Sequence, residues 1–176
     1  MRALGIATTV LIAVGASAVF AAQEQIPSDF RIVAHFGSGH IPVTEDDLAN
    51  GQIGAWYLRL DARGVANVEV IRNSPRKKTT TSIRYSRREI IRVVEAVARS
   101  RFFTLPRFID AGFTDVPNYS LEVTMRGKTH AVRVASPSAL RDKSLLKRFI
   151  AVWVIVCQRM PSQFDDGVTR DLQKSS

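Results

Sequence analysis

Basic side chains with one acidic neighbour fill the stretch from residue 72 to residue 92. The acidic residue is Glu89. Arginine binds carboxylates and phosphates through two parallel hydrogen bonds, and lysine binds them as a compact positive charge. The pattern therefore predicts a surface that binds an anionic partner. The predicted binding residues are Arg72, Arg76, Lys77, Lys78, Arg84, Arg87, Arg88 and Arg92.

Two of these cations occupy positions that helix stability does not favour. Ser86-Arg87-Arg88-Glu89 has the pattern of a capping box, so a helix is predicted to begin at Arg87. The N-terminal end of a helix carries partial positive charge, and a cation there costs on the order of a few tenths of a kcal/mol. An anionic partner explains this placement, and a solvated basic face tolerates it, so both interpretations stay open.

The histidines offer a second kind of chemistry. His35 and His40 flank a glycine-rich turn, and acidic residues follow at positions 45 to 47. A metal site or a small hydrolase site of the cell envelope can be assembled from them, but their spacing matches no established ligand pattern. His130 shares the alternation of Val132, so we expect it to be a structural residue that turns inward at a sheet end.

Other catalytic and cofactor-binding patterns do not occur. The sequence has no phosphate loop, dinucleotide fingerprint or nucleophile elbow. Cys157 is the only cysteine and lies in an apolar run, which predicts a buried, inert thiol. Tyr85 is the only aromatic residue among the basic ones, so stacking on nucleic-acid bases is not expected. We predict no catalytic residues, no metal and no cofactor, and keep an enzyme as the alternative.

Two hairpins are predicted to form the framework. Residues 56–70 alternate between apolar and polar side chains around a turn at Asp61–Gly64, and residues 121–134 do so around Arg126-Gly127. The Thr-rich residues 79–85 are a candidate third strand of the first hairpin's sheet. One face of each hairpin is apolar and the other is polar, which is typical of a sheet covered on one side.

Two helices complete the predicted architecture. The first runs from Arg87 to about Ser100, and the second from Pro137 to about Gln158. Within the second, the β-branched content of residues 149–157 leaves a strand possible. The predicted fold class is α+β, an antiparallel sheet built from two hairpins with two helices packed on one face.

The uncovered face of that sheet supplies another hypothesis. By the strand alternation it carries side chains of mixed charge and one aromatic ring, so the domain is alternatively expected to associate through it. These side chains are Tyr57, Arg59, Glu122 and Arg133.

The N-terminal residues predict export. Residues 1–21 combine one positive charge, an apolar run and small residues, as a secretory signal peptide does, with cleavage after Ala18, Ala21 or Ala22. An uncut membrane anchor is the alternative, since the run is long enough to span a bilayer. Export predicts a periplasmic or secreted protein. The remaining chain is divided into a polar lead-in at 22–30, a single α+β domain at 31–160 and a disordered C-terminal tail at 161–176.

Several short motifs resemble an uncharacterised family of small exported bacterial domains. They are Phe36-Gly37-Ser38-Gly39, the hairpin Trp56–Gly64, Arg101–Leu105, Asp115-Val116-Pro117 and Leu121–Lys128. The resemblance implies an exported location and this α+β architecture. It implies no activity and no site residues, because the family has none assigned. The acidic insertion after His40 is longer here than in the family pattern.

The formal net charge of +9 fits a partner of negative charge. The leading hypothesis is an exported, non-enzymatic binding module with a basic face. Its partner is expected to be an anionic component of the cell envelope or another exported protein. Specific nucleic-acid recognition is not expected, and no transmembrane helix is expected after removal of the leader.

Overall fold

The computed structural model describes residues 26–39, 53–73, 76–113, 116–161 and 168–174. The predicted signal peptide and the segment that begins at His40 lie outside the described residues. None of the helices that the structure describes is long and apolar enough to cross a membrane.

A seven-stranded sheet forms the centre of the described structure. Its strands are β1 (Arg31–Gly37), β2 (Ile53–Asp61), β3 (Val65–Asn73), β4 (Arg76–Arg84), β5 (Phe108–Ile109), β6 (Asn118–Met125) and β7 (Lys128–Ala135). Their order is β4-β3-β2-β1-β6-β7-β5, and β5 alone pairs in parallel. The α+β class and the largely antiparallel sheet are confirmed. The sheet is larger than the two predicted hairpins.

Strand β1 joins the two predicted hairpins. It pairs with β2 on one side and with β6 on the other, both antiparallel. Ile32, Ala34 and Phe36 are buried on one face of this strand, which places it at the middle of the core. The Thr-rich segment forms β4 beside β3, as predicted. The two predicted hairpins therefore account for four of the seven strands, β4 extends the first of them, and β1 and β5 are added by pairing with segments that are distant in the sequence.

Three α-helices accompany the sheet in the described part of the chain: α1 (Arg87–Arg99), α2 (Lys143–Cys157) and α3 (Val168–Lys174). Single turns of 3₁₀ helix lie at Phe102–Thr104 and Pro137–Ala139. The predicted capping box is confirmed. The Ser86 hydroxyl accepts from the Glu89 amide, and the Glu89 carboxylate accepts from the Ser86 amide at 2.7 Å.

The predicted start of the second helix is wrong by six residues. Pro137 begins a 3₁₀ turn instead, because Ser136 adopts a left-handed conformation with φ 50° and Leu140 is extended. The helix then starts at Lys143, where the Asp142 carboxylate accepts a hydrogen bond from the Ser144 amide at 2.8 Å. Asp142 is a better cap for this helix because it satisfies an amide of the first turn.

The predicted disordered tail is wrong for residues 168–174. These residues form α3, and the Leu172 side chain is fully buried. The helix contacts α2 and the Pro137–Ala139 turn. A polar composition predicts disorder, but the segment buries Leu172, and Thr169, Gln173 and Lys174 have interactions of their own. Residues 162–167 and 175–176 lie outside the described residues.

The core lies between one face of the sheet and the helices. Phe36 pairs with Trp56 and with Tyr119 across neighbouring strands, and all three side chains are buried. Trp153 of α2 reaches this face, with ring centroids 5.2 Å from Trp56 and 5.5 Å from Tyr119. Helix α1 packs against α2 and buries Ile90 and four further residues.

The lead-in reaches into the fold at its C-terminal end. Phe30 is 2% exposed, and the Asp29 carboxylate accepts from the amides of Arg126 at 2.9 Å and Gly127 at 2.6 Å. These hydrogen bonds hold the pKa of Asp29 below its usual value. Arg126 and Gly127 both have positive φ, as a tight two-residue hairpin turn requires. Residues 26–30 are therefore structured, whereas the sequence predicts a separate polar lead-in.

Candidate anion-binding edge of the sheet

Strand β4 forms one edge of the sheet. Its nine residues pair with β3 from Val65↔Arg84 to Asn73↔Arg76, and no described strand pairs with its other side. In an antiparallel pair, every second residue turns its N–H and C=O groups away from its partner. Strand β4 therefore presents a row of backbone donors and acceptors at the edge of the sheet.

The side chains of β4 are basic at both ends and neutral in the middle. Arg76, Lys77, Lys78 and Arg84 contribute four cations, and the strand has no acidic residue. Lys77 pairs with Arg72 and shares the sheet face that the helices cover, whereas the other three cations of β4 lie on the opposite face. The positive charge consequently flanks the edge on both faces.

The structure separates the eight predicted binding residues into two groups. One group surrounds the end of the β3–β4 hairpin and contains Arg72, Arg76, Lys77 and Lys78. The other surrounds the junction of β4 with α1 and contains Arg84, Arg87, Arg88 and Arg92. A strand rises about 3.3 Å per residue, so the backbones of Lys77 and Arg84 are about 23 Å apart. We call this whole arrangement the basic strip, since it follows one edge rather than forming a compact patch.

Most cations of the basic strip have no acidic partner among the described residues. Lys78 has one, since its Nζ atom lies 2.8 Å from a Glu69 carboxylate oxygen, and Arg72 also has an interaction partner. None of the described ion pairs involves the remaining exposed cations of β4 and α1. These are Arg76, Lys77, Arg84, Arg87, Arg88 and Arg92. Six of the eight cations of the basic strip therefore carry positive charge that no described acidic residue compensates.

Glu89, the acidic residue within the strip, is already bound. Arg159 donates from Nε to one of its oxygens at 2.7 Å, and Ser86 donates to the other oxygen from its amide and its hydroxyl. The hydrogen bonds from Arg159 and then Ser86 lower the pKa of Glu89 to about 2. The carboxylate is thus ionised at neutral pH, and its charge is offset by Arg159, which lies outside the strip.

The four residues of the predicted open face share one face of the sheet. Tyr57 pairs with His35, Arg59 and Glu122 both oppose Val33, and Arg133 opposes Ser120 in the same alternation. This is the face opposite to the buried one. The prediction that Tyr57, Arg59, Glu122 and Arg133 lie together on a face of the sheet is confirmed by this register.

His35 lies at the centre of this face as a packed ring. It stacks on Tyr57 with ring centroids 4.4 Å apart, and the Arg59 guanidinium lies 5.3 Å from the Tyr57 centroid. Burial, and secondarily the positive charge of Arg133, lower the pKa of His35. The imidazole is therefore neutral at neutral pH and contributes to packing on this face.

The residues of the hydrolase and metal-site alternative are not brought together by the described structure. His40 lies outside the described residues. Among the described residues, no group of three or more His, Cys, Asp and Glu side chains is placed to hold a metal ion. His130 is structural, as predicted, since its Nε2 atom lies 2.9 Å from the Leu105 carbonyl oxygen. Cys157 is buried, as predicted.

Sequence reasoning missed a groove beside the opposite edge of the sheet. It has a volume of about 470 Å³ and lies between β5 and the segment that leads into α2. Phe108, Ile109, Leu140 and Leu145 supply apolar walls, and Phe108 is 70% exposed. The sequence assigns one wall to a loop and the other to a helix interior, so no local pattern indicates that they meet.

Comparison with known proteins assigns no function to this chain. No protein-family model matches the chain, and no curated protein matches it significantly. The resemblance to small exported bacterial domains therefore stays a prediction.

Proposed function

We propose that this protein is an exported, non-enzymatic binding module that engages an anionic partner through the basic strip. One observation carries the proposal. The nine-residue edge strand β4 has four cations and no acidic residue, and the chain continues directly into three more exposed arginines on α1. The apolar N-terminal segment with its single arginine supports export.

Protection of a sheet edge explains only part of this charge. Lysine on an edge strand discourages pairing with other chains, which accounts for cations on β4. Arg87, Arg88 and Arg92 lie on α1 and protect no strand. The first two also stand at the end of the helix where a cation is unfavourable. Binding of an anion accounts for both groups of the basic strip at once.

The partner is an anionic component of the cell envelope or another exported protein with an acidic surface. Arginine and lysine side chains at an exposed edge bind such groups mainly through Coulomb attraction, which salt screens over about 10 Å at 0.1 M. Binding should therefore weaken steeply between low and physiological ionic strength.

Charge reversal tests the proposal. The double variant Arg87→Glu/Arg88→Glu should elute from a sulfated or phosphorylated matrix at lower salt than the unmodified protein. Acidic residues in the first turn favour the helix, so loss of α1 does not explain such a result. The matched control is Lys128→Glu/Lys147→Glu, which removes the same charge at two exposed positions outside the strip. Equal elution of the two double variants would show that only net charge matters, and the proposal would be wrong.

Association through the open face is a second candidate. The observation that favours it is the half-buried His35–Tyr57 stack at the centre of a face that no described helix covers. Self-association through this face would make the melting temperature depend on protein concentration. Arg133→Glu should alter that dependence, and a melting temperature that is constant over a hundredfold dilution would eliminate the candidate.

A further inference from the structure

We infer that β4 accepts an extended acidic segment of another exported protein as an additional strand of the sheet. This inference rests on the proposed function and names the class of partner. A lipid headgroup or a glycan satisfies the positive charge, but only a polypeptide also continues a backbone hydrogen-bond ladder.

The length of the edge makes strand addition possible. Strand β4 has nine residues, as do β2 and β3, so an incoming strand has about 30 Å of edge along which to pair. The opposite edge is shorter and interrupted, because β5 has two residues and covers only part of β7, whose residues 128–132 have no described strand on that side. Among the described strands, the long edge is therefore the one that can support an extended ladder.

The charge pattern of β4 specifies which strand fits. Side chains of an added strand alternate between the two faces, so its acidic residues meet Arg76, Lys78 and Arg84 on one face and Lys77 on the other. Between these cations lie residues 79–82, which are Thr-Thr-Thr-Ser. The complementary segment is acidic near both ends and carries neutral β-branched or hydroxyl residues in its middle.

A second copy of this chain does not meet that requirement. Antiparallel pairing of two β4 strands about Thr80 places Arg76 opposite Arg84, and parallel pairing in register places every cation beside its own copy. Like charges opposite each other in a ladder are destabilising. The edge therefore disfavours self-pairing and favours an acidic strand from a different protein.

Three peptides of the same sequence separate the contribution of backbone hydrogen bonds to binding from the contribution of charge. The full-length protein is titrated with a nine-residue acidic strand-forming peptide, and with two versions that carry N-methyl groups on alternate amides, one for each edge of the peptide. N-methylation keeps the charge and removes backbone donors. We expect the acidic peptide to bind and to slow hydrogen exchange of β4 amides. One methylated version should bind at least about tenfold more weakly, since it loses several backbone hydrogen bonds.

Matched protein variants locate the site. Lys77→Glu/Arg84→Glu should weaken binding of the acidic peptide, whereas Lys128→Glu/Lys147→Glu should weaken it much less. Equal weakening by both pairs would overturn the inference.

Three further outcomes overturn strand addition, and they differ in what they say of the proposed function. Equal affinity of all three peptides shows that charge alone binds them, and the proposed function stands. Binding to anionic phospholipid vesicles without binding of any peptide identifies a lipid surface, and the proposed function again stands. Binding to neither peptides, vesicles nor the anionic matrix means that both proposals fail.

Discussion

Arg159 donates a hydrogen bond from Nε to Glu89 Oε1 at 2.7 Å and so connects the chain just after α2 with the first turn of α1. The other oxygen of Glu89 accepts from the Ser86 amide, which completes the cap of α1. The Glu89 carboxylate therefore caps the N-terminus of α1 and also links α1 to the chain just after α2. The side chain of Glu89 is 14% exposed, so water replaces these bonds poorly.

Replacing that carboxylate by an amide should reduce stability at neutral pH. In Glu89→Gln one acceptor oxygen remains for the three donors of Arg159 and Ser86, and the NH₂ group faces a donor. We expect the free energy of unfolding to fall by about 1 kcal/mol. Glu95→Gln is the control, because Glu95 forms an exposed pair with Arg99 on the same helix at 3.4 Å and should cost less than about 0.5 kcal/mol. Urea unfolding measures both.

The same substitution should lose its effect in acid. The pKa of Glu89 is lowered to about 2 from 4.5, so its contribution is complete above pH 4.5 and is lost as the pH falls toward 2. The difference in stability between the unmodified protein and Glu89→Gln should therefore shrink over this range. A difference that stays constant between pH 7 and pH 3 would contradict the assignment.

Two glycines with similar backbone conformations should respond differently to alanine. Gly64 has φ 80° and Gly127 has φ 72°, so both substitutions strain the backbone by about 1 kcal/mol. A Cβ atom at Gly64 would also lie 2.3 Å from the Tyr85 carbonyl oxygen, whereas at Gly127 nothing lies within 4 Å. We expect Gly64→Ala to cost roughly 2 kcal/mol more than Gly127→Ala in urea unfolding. Equal costs would mean that the close approach to Tyr85 is absent.

The contribution of α3 can be measured at Leu172. Because this side chain is fully buried, Leu172→Ala should lower the free energy of unfolding by about 2–4 kcal/mol. Leu145→Ala, at a half-buried leucine of α2, is the comparison and should cost less. If Leu172→Ala were silent, the C-terminal segment would not be docked.

His35 should make the protein less stable in mild acid. Burial lowers the pKa of the folded imidazole below 6.5, so the unfolded chain binds protons more readily than the folded chain. Stability is then lost as the pH falls through 6.5 toward the folded value. His35→Gln should remove this part of the pH dependence in thermal melts. Titration of the His35 ring by NMR checks the cause, and a pKa at or above 6.5 would refute it.

Local patterns predicted the elements that depend on local physics. The Ser86–Glu89 capping box and the inward turn of His130 follow from spacing within one helix or one strand, and the alternation within each strand places Tyr57 and Arg133 on its polar side. Those features need no knowledge of distant segments. The strand alternation was therefore sufficient to place residues on the correct face of the sheet.

Long-range pairing was not predictable in the same way. The central position of β1 depends on partners from two distant hairpins. The burial of Leu172 depends on the contacts of α3 with α2 and with the Pro137–Ala139 turn. The sequence predicts that the second helix begins at Pro137, whereas the left-handed backbone of Ser136 confines that segment to a 3₁₀ turn and the helix begins after Asp142.

The candidate site was predicted by residue type but not by shape. Eight cations that are close along the chain suggest one patch, yet an extended strand separates Lys77 from Arg84 by about 23 Å. Charge composition is visible in a sequence, whereas the distance between charges depends on whether the chain between them is extended or helical.

The unequal edges of the sheet limit how an assembly can grow. One side offers the nine residues of β4, and the other offers the two residues of β5 and residues 128–132 of β7. A complex formed by strand pairing would stop after a single addition, because the β7–β5 edge is short and interrupted and a second β4 strand would be repelled by like charge. Such a complex would have a fixed one-to-one stoichiometry and would not polymerise into fibres.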